Sequence, residues 1–150
     1  MKKIKFTKEG FEKLKKNFEE FTQKRKSTVA NLSRAREMGD LSENGAYKSA
    51  KFELGSIDRE LRRLKYLLRF GFIAESSKRN FVDFGSKVIL SDGEKEMIFT
   101  MVSGYESDPH EQKLSTFSPL GKAILGKRKG DRVEVISPSG KTIYKIVDFK

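Results

Sequence analysis

The chain of 150 residues has no cysteine, no tryptophan, one histidine and three prolines. Without cysteine there is no disulfide, no thiolate zinc site and no cysteine nucleophile. The single histidine, His110, lies in the loop-like stretch YESDPHEQK. It reads as a solvated side chain, and alone it cannot build a multi-histidine metal centre. No window approaches the ~20 consecutive apolar residues of a membrane span. The start, MKKIKFTKEGF, is basic but lacks the apolar core of a signal peptide. The expectation is a cytoplasmic protein with no membrane partner.

Charge of one sign is abundant. The formal net charge is +11. Residues 1–75 hold 19 Lys and Arg against 11 Asp and Glu, whereas residues 76–150 hold 13 against 10. The excess therefore sits in the first half. Such a balance points to a polyanionic partner, with nucleic acid the commonest. A solvated helical surface would look the same by charge alone.

Residues 8–70 read as helix. The apolar positions Tyr47, Ala50, Leu54, Ile57, Leu61, Leu64 and Leu68 are spaced alternately by three and four residues. That heptad seam buries one narrow stripe against a partner helix. Phe11, Leu14, Phe18, Phe21, Leu32 and Ala35 repeat it upstream, with a weak middle at Arg25 and Thr28 and with Val29 one step aside. Folding the two seams together pairs Phe11 with Leu68, Phe18 with Leu61 and Leu32 with Tyr47, which sets the turn at Gly39-Asp40. Gly39 is free to take a positive φ there. Ser42 suits the N-cap of the second helix, with Glu43 in its first turn. About thirty residues per arm at ~1.5 Å rise gives a hairpin on the order of 45 Å long.

The second half changes character. Lys87–Leu90 and Glu96–Val102 are β-rich around an Asp92-Gly93 turn, and Arg132–Ile136 and Lys141–Val147 alternate around Pro138-Ser139-Gly140. Ser118-Pro119, LGKAIL and Gly126 carry the cap, first-turn proline and closing glycine of a short helix. The fold class is α+β: an N-terminal antiparallel coiled-coil hairpin over residues 1–75, then a small antiparallel-sheet domain with one short helix over residues 76–150. Gly71–Phe84 links the two.

The stretch REMGDLSEN, Arg36 to Asn44, puts two carboxylates, Asp40 and Glu43, at the hairpin end. Acids are common in turns and at helix N-termini. The chemical alternative is metal assistance. Carboxylate oxygens suit Mg²⁺, which takes one or two protein carboxylates and ligands from elsewhere. Two acids are too few for a free-standing site and about right for completing one in another macromolecule. A second ion held there could activate water against a phosphodiester.

The run AREMGDLSENGAYKSAK, Ala35 to Lys51, resembles the tip signature of bacterial transcript-cleavage factors, the GreA/GreB family. Downstream, FSPLGKAILGKRKGDRVEV, Phe117 to Val135, resembles that family's C-terminal signature. The two matches stand in the family's order and, with FTKEGFEKLK at the start, cover essentially the whole chain. The resemblance implies a coiled coil that enters the secondary channel of bacterial RNA polymerase, and an FKBP-like C-terminal domain that docks on its rim. It implies a monomeric cofactor, not an enzyme, that stimulates the polymerase's own endonucleolytic cleavage of the backtracked nascent RNA 3′ end. Asp40 and Glu43 match the acids that help the polymerase hold a second Mg²⁺, and Ser42 matches a further tip contact. Leu41 and Asn44 match the rest of the tip, and Tyr47 an aromatic position.

In this family a basic hairpin patch is associated with the extruded RNA. Arg34, Arg36, Lys48, Lys51 and Arg59 are its candidates here, within a wider set that includes Lys24, Arg25, Lys26, Arg62 and Arg63. The chain departs from the pattern at Gly45-Ala46, where relatives often carry Ala-Glu. IDRELRRLKYL leans toward the GreB type and SPLGKAILGK toward GreA. Two other functions stay open: a secondary-channel binder that inhibits or modulates the polymerase without cleavage, and a general nucleic-acid-binding coiled coil. Phe99, Tyr105, Phe117 and Tyr144 invite comparison with a prolyl-isomerase pocket, but aromatics at strand positions are more often core. No isomerase activity is expected.

Overall fold

A computed structural model describes residues 2–39, 44–75 and 79–150. They form two units, one built on Phe11–Gly71 and the other on Ile4–Gly10 with Phe72–Lys150.

The first unit is the α part. Helix α1 runs Lys8–Arg36 and α2 runs Gly45–Phe70. Thr7 precedes α1, and its Oγ1 accepts from the Gly10 amide at 3.1 Å, satisfying one of the helix's free donors. Leu14, Thr28 and Ala35 of α1 are buried, as are Ala50, Ile57 and Leu64 of α2. All six are seam positions. The cross-arm contacts fix the register. Arg25 meets Asp58, Lys24 meets Glu53, Asn44 meets Ala35, and Arg36 lies over Tyr47. The paired residue numbers add to between 77 and 83, around the value the heptads require.

The weak middle of the seam is resolved by chemistry that heptad counting does not see. Thr28 is 2% exposed, and the register sets it against Ala50, so a small pair fills that layer. Arg25 instead turns to the flank, where its Nε donates to Asp58 Oδ1 at 2.6 Å. That hydrogen bond, and then the carboxylate's charge, raises the Arg25 pKa above its ordinary value. Leu67, one step off the seam, is fully buried.

The second unit is the β part. Strand β1, Ile4–Phe6, pairs with β2, Gly71–Ile73. A five-stranded sheet holds β3 (Lys87–Ser91), β4 (Glu96–Val102), β5 (Lys113–Ser115), β6 (Arg132–Ser137) and β7 (Gly140–Phe149), in the order β5-β4-β3-β7-β6. The α+β class and the four long strands are as expected. The sheet is not wholly antiparallel, however, because β5 lies parallel to β4. After β4 the chain loops back through a 3₁₀ turn, Pro109–Glu111, before pairing in the same direction. Gln112, at φ 55, makes the reversal out of that turn.

Helix α3, Pro119–Ile124, has the expected ends. Ser118 Oγ accepts from the Gly121 amide at 3.0 Å, and Gly126 has φ +79. Gly121 has a second duty, since a Cβ there would run into the backbone carbonyl of Ser115. Val82, Val88, Leu90, Met101, Ile124, Val133 and Ile146 form the core between sheet and helix. Among the described residues no helix is long and apolar enough to cross a membrane.

Candidate functional site

The hairpin closes between the end of α1 and the start of α2. Gly39 has φ +110, as a chain reversing after a helix requires, and a Cβ there would meet nothing within 4 Å. Asp40, Leu41, Ser42 and Glu43 lie outside the described residues, so the proposed acids, the Ser42 contact and the Mg²⁺ role have no geometry here. The residues on both sides are described, and they correct one expectation. The N-cap of α2 is Asn44, not Ser42, and α2 has no acid in its first turn.

Asn44 is selected because both ends of its amide are used. Oδ1 accepts from the Tyr47 amide at 3.1 Å, while Nδ2 donates to the Ala35 carbonyl at 2.6 Å. The first bond caps α2, and the second reaches back to a carbonyl at the end of α1. Serine has a single oxygen on a shorter side chain, which cannot occupy both amide positions at once. Next to this tie the Arg36 guanidinium covers the Tyr47 ring at 5.8 Å, a cation–π contact across the two arms. Met38, whose amide donates to the same Ala35 carbonyl at 3.2 Å, is 75% exposed.

The basic candidates divide into two groups. Arg25 and Lys24 are paired with carboxylates of the opposite arm, and Arg63 pairs with Glu60 at 2.7 Å. Arg34, Arg36, Lys48, Lys51 and Arg59 are exposed, and among the described residues none has a carboxylate within 4 Å. Arg34 and Arg36 occupy the last turn of α1, where positive charge also complements the helix dipole. Lys48, Lys51 and Arg59 follow along α2. Free cations of this kind can neutralise phosphates without reading sequence.

The second unit offers fewer candidates. His110 is exposed in the 3₁₀ turn, and its backbone amide donates to Asp108 Oδ1 at 3.0 Å. Phe99 and Tyr144 pack on the core, while Tyr105 and Phe117 are at least half exposed. The four aromatics are thus split between core and surface. No group of three or more His, Asp or Glu side chains among the described residues could hold a metal ion.

Comparison with known proteins decides the family. Residues 4–70 match the family model "Transcription elongation factor, N-terminal", and residues 76–150 match "Transcription elongation factor, GreA/GreB, C-term". The chain belongs to the GreA/GreB family. Transcription elongation factor GreA of Geobacillus kaustophilus is 41% identical over 155 residues, covering 99% of this chain and 98% of that protein. GreA of Thermotoga sp. strain RQ2 is 39% identical over 151 residues, covering 98% and 97%. Among solved structures, GreA factor homolog 1 (Gfh1) of Thermus thermophilus covers 99% of both chains at 27% identity, with a TM-score of 0.48. In this GreA/GreB chain the first signature, Ala35 to Lys51, falls where the arms meet, and the second brackets α3.

Proposed function

We propose that this protein is a transcription elongation factor that inserts its hairpin tip into the RNA polymerase secondary channel and stimulates Mg²⁺-dependent cleavage of backtracked nascent RNA. The observation that carries this is the hairpin end itself. Two long arms, tied by Asn44, flank in sequence the segment that holds Asp40 and Glu43 in a chain of the GreA/GreB family. The protein acts as a cofactor to the polymerase's own endonuclease.

The donor chemistry fits Mg²⁺ in a shared site. Asp40 and Glu43 supply hard carboxylate oxygens, too few to hold the ion alone. When bound, the ion lowers the pKa of a coordinated water and stabilises charge on the scissile phosphate. Asp40 and Glu43 hold it together with polymerase ligands, and Ser42 makes a further contact. Arg34, Arg36, Lys48, Lys51 and Arg59 carry the phosphates of the extruded 3′ segment, an electrostatic role that weakens steeply with salt.

The test is to add the protein to stalled, backtracked elongation complexes with Mg²⁺ and follow short 3′ RNA fragments. Release should exceed the polymerase's intrinsic rate, and D40A or E43A should abolish the excess while leaving polymerase binding intact. No release above that rate would defeat the proposal. A second function is favoured by the absence of an acid in the first turn of α2, where Ala46 stands. It is a channel binder that inhibits elongation without cleavage. Slowed elongation without fragments would select it.

A further inference from the structure

Single apolar side chains on a protein surface are ordinary. Phe52 differs in three respects. At 77% it is the most exposed of the large apolar side chains among the described residues. Among the described residues it also has no aromatic or cationic partner. Phe11, Phe21, Tyr47 and Phe70 on the same hairpin each lie under a Lys or Arg, whereas no ring and no cation covers Phe52 among the described residues.

The third difference is what surrounds it. Lys48, Phe52, Gly55 and Arg59 are spaced by four, three and four residues, which aligns them on one outward stripe of α2. Lys51 flanks the stripe, and the neighbours one turn on from Phe52 are Gly55 and Ser56, which leave the ring uncovered. Gly55 is costly in the middle of a helix, by up to ~1 kcal/mol relative to alanine. Packing does not require it, since a Cβ there would meet only Arg59 Nη1 at 3.7 Å, an ordinary contact. The glycine adds no side chain to the stripe between Phe52 and Arg59.

We propose that Phe52 is a stacking platform for one base of single-stranded RNA, with Gly55 keeping the space beside the ring open and Lys48, Lys51 and Arg59 holding the flanking phosphates. Every base presents a π-face, so the platform is tolerant of sequence, as single-strand binding surfaces are. Three free cations specify a polyanion, and the unpaired ring specifies one whose bases are unstacked. Phe52 lies seven residues after Gly45, so at ~1.5 Å per residue the stacked base sits about 10 Å along the arm from the start of α2. The proposal rests on the RNA-facing role given above for this hairpin, and it adds a contact to the base.

The test is fluorescence anisotropy of the full chain with a labelled ten-nucleotide single-stranded RNA at low salt. F52A should weaken binding about tenfold, within the range for loss of one base–aromatic stack. F52W should restore it and F52L should not. The salt slope should be unchanged by F52A and reduced by K48A or K51A. G55L should lower RNA affinity while raising the helix melting temperature. An abasic ribose-phosphate strand should bind wild type and F52A equally.

The proposal is overturned if wild type fails to bind the RNA, if F52A binds as wild type does, if F52L restores binding, or if the abasic strand shows the same loss. It is also overturned if F52A lowers affinity for polymerase alone, which would make the ring a protein contact. A cleavage assay with the same variants separates the two proposals. Loss of the F52A effect with cleavage intact removes the stacking platform only. A preserved F52A effect without any cleavage removes the cleavage role only.

Discussion

Asn44 ties the two arms of the hairpin, and its replacement tests how the tip is built. As a plain N-cap, Asn, Asp and Ser are nearly equivalent, and Ala costs about 1 kcal/mol. The structure gives Asn44 a second bond, from Nδ2 to the Ala35 carbonyl at 2.6 Å, for which Asp has no donor and Ser, with one shorter-reaching oxygen, has no second atom. A neutral hydrogen bond contributes about 0.5–1.5 kcal/mol. The Ala35 carbonyl keeps the Met38 amide at 3.2 Å, so losing Asn44 does not strand it without a donor.

Asn44→Ser should therefore cost about 1 kcal/mol, for the cross-arm bond alone. Asn44→Asp should cost a similar amount, as repulsion from the carbonyl offsets the gain from the helix dipole. Asn44→Ala loses both bonds and should cost about 2 kcal/mol. For a unit of this size ~1 kcal/mol moves the melting temperature by about 4–8 °C. Circular dichroism at 222 nm follows the long helices selectively enough to read it. Ser and Asp variants that melt within about 1 °C of wild type would refute the double role. Hydrogen exchange at the Tyr47 amide adds a local check, since Ser and Asp should preserve its protection and Ala should not.

Three further outcomes are expected. Gly121→Ala should destabilise the second unit by more than ~2 kcal/mol, because its Cβ would meet the Ser115 backbone and something must shift; denaturant titration reads it. Gly45→Ala should stabilise the hairpin by up to ~1 kcal/mol, since α2 is helical there and a Cβ meets nothing within 4 Å; a raised melting temperature confirms it. Asp92 Oδ1 accepts from the Lys95 and Glu94 amides, each at 2.9 Å, and these bonds hold its pKa below the ordinary carboxylate value. Its contribution is then complete above the unfolded-state pKa and is lost as pH falls through the lowered folded value. Asp92→Asn keeps the acceptor and removes the proton, so it should flatten that acid limb in a pH series of melts.

Much of this architecture was legible in the sequence because its signals are periodic. Alternating three- and four-residue spacing set the hairpin register, and the buried residues Leu14, Ala35, Ala50, Ile57 and Leu64 fall on it. Alternation and turn residues marked four strands, and Ser118-Pro119 marked α3. What escaped lacks a period. Strands β1, β2 and β5 have three residues each, too few for an alternation to register. The parallel pairing of β5 depends on a loop path that local sequence does not encode.

The true cap of α2 was ambiguous for a different reason. Ser42 and Asn44 are both good caps, and only a bond to the other arm chooses between them. Arg25 was an irregularity until the register brought Asp58 to it. At the candidate site, the acids were legible as residue types in a turn. Phe52 was not, because an exposed aromatic off the seam has no signature until its neighbours are known.

Thr7 has a bearing on how the protein is made. Its amide and hydroxyl both donate to the Glu106 carboxylate, at 3.0 and 2.5 Å, across 99 positions of sequence. Gly10, one turn into α1, packs so closely on the same carboxylate that a Cβ would collide with it. At ~5–20 residues per second, a ribosome adds Glu106 roughly 5–20 s after Thr7. The hairpin can zip while synthesis continues, but its first turn waits for a residue from the far half of the chain. A nascent chain halted before residue 106 would therefore carry finished arms while Thr7 and Gly10, which belong to the second unit, still lack their partner. Early residues such as Thr7 should accordingly show their folding defects in the last part of the protein to be made.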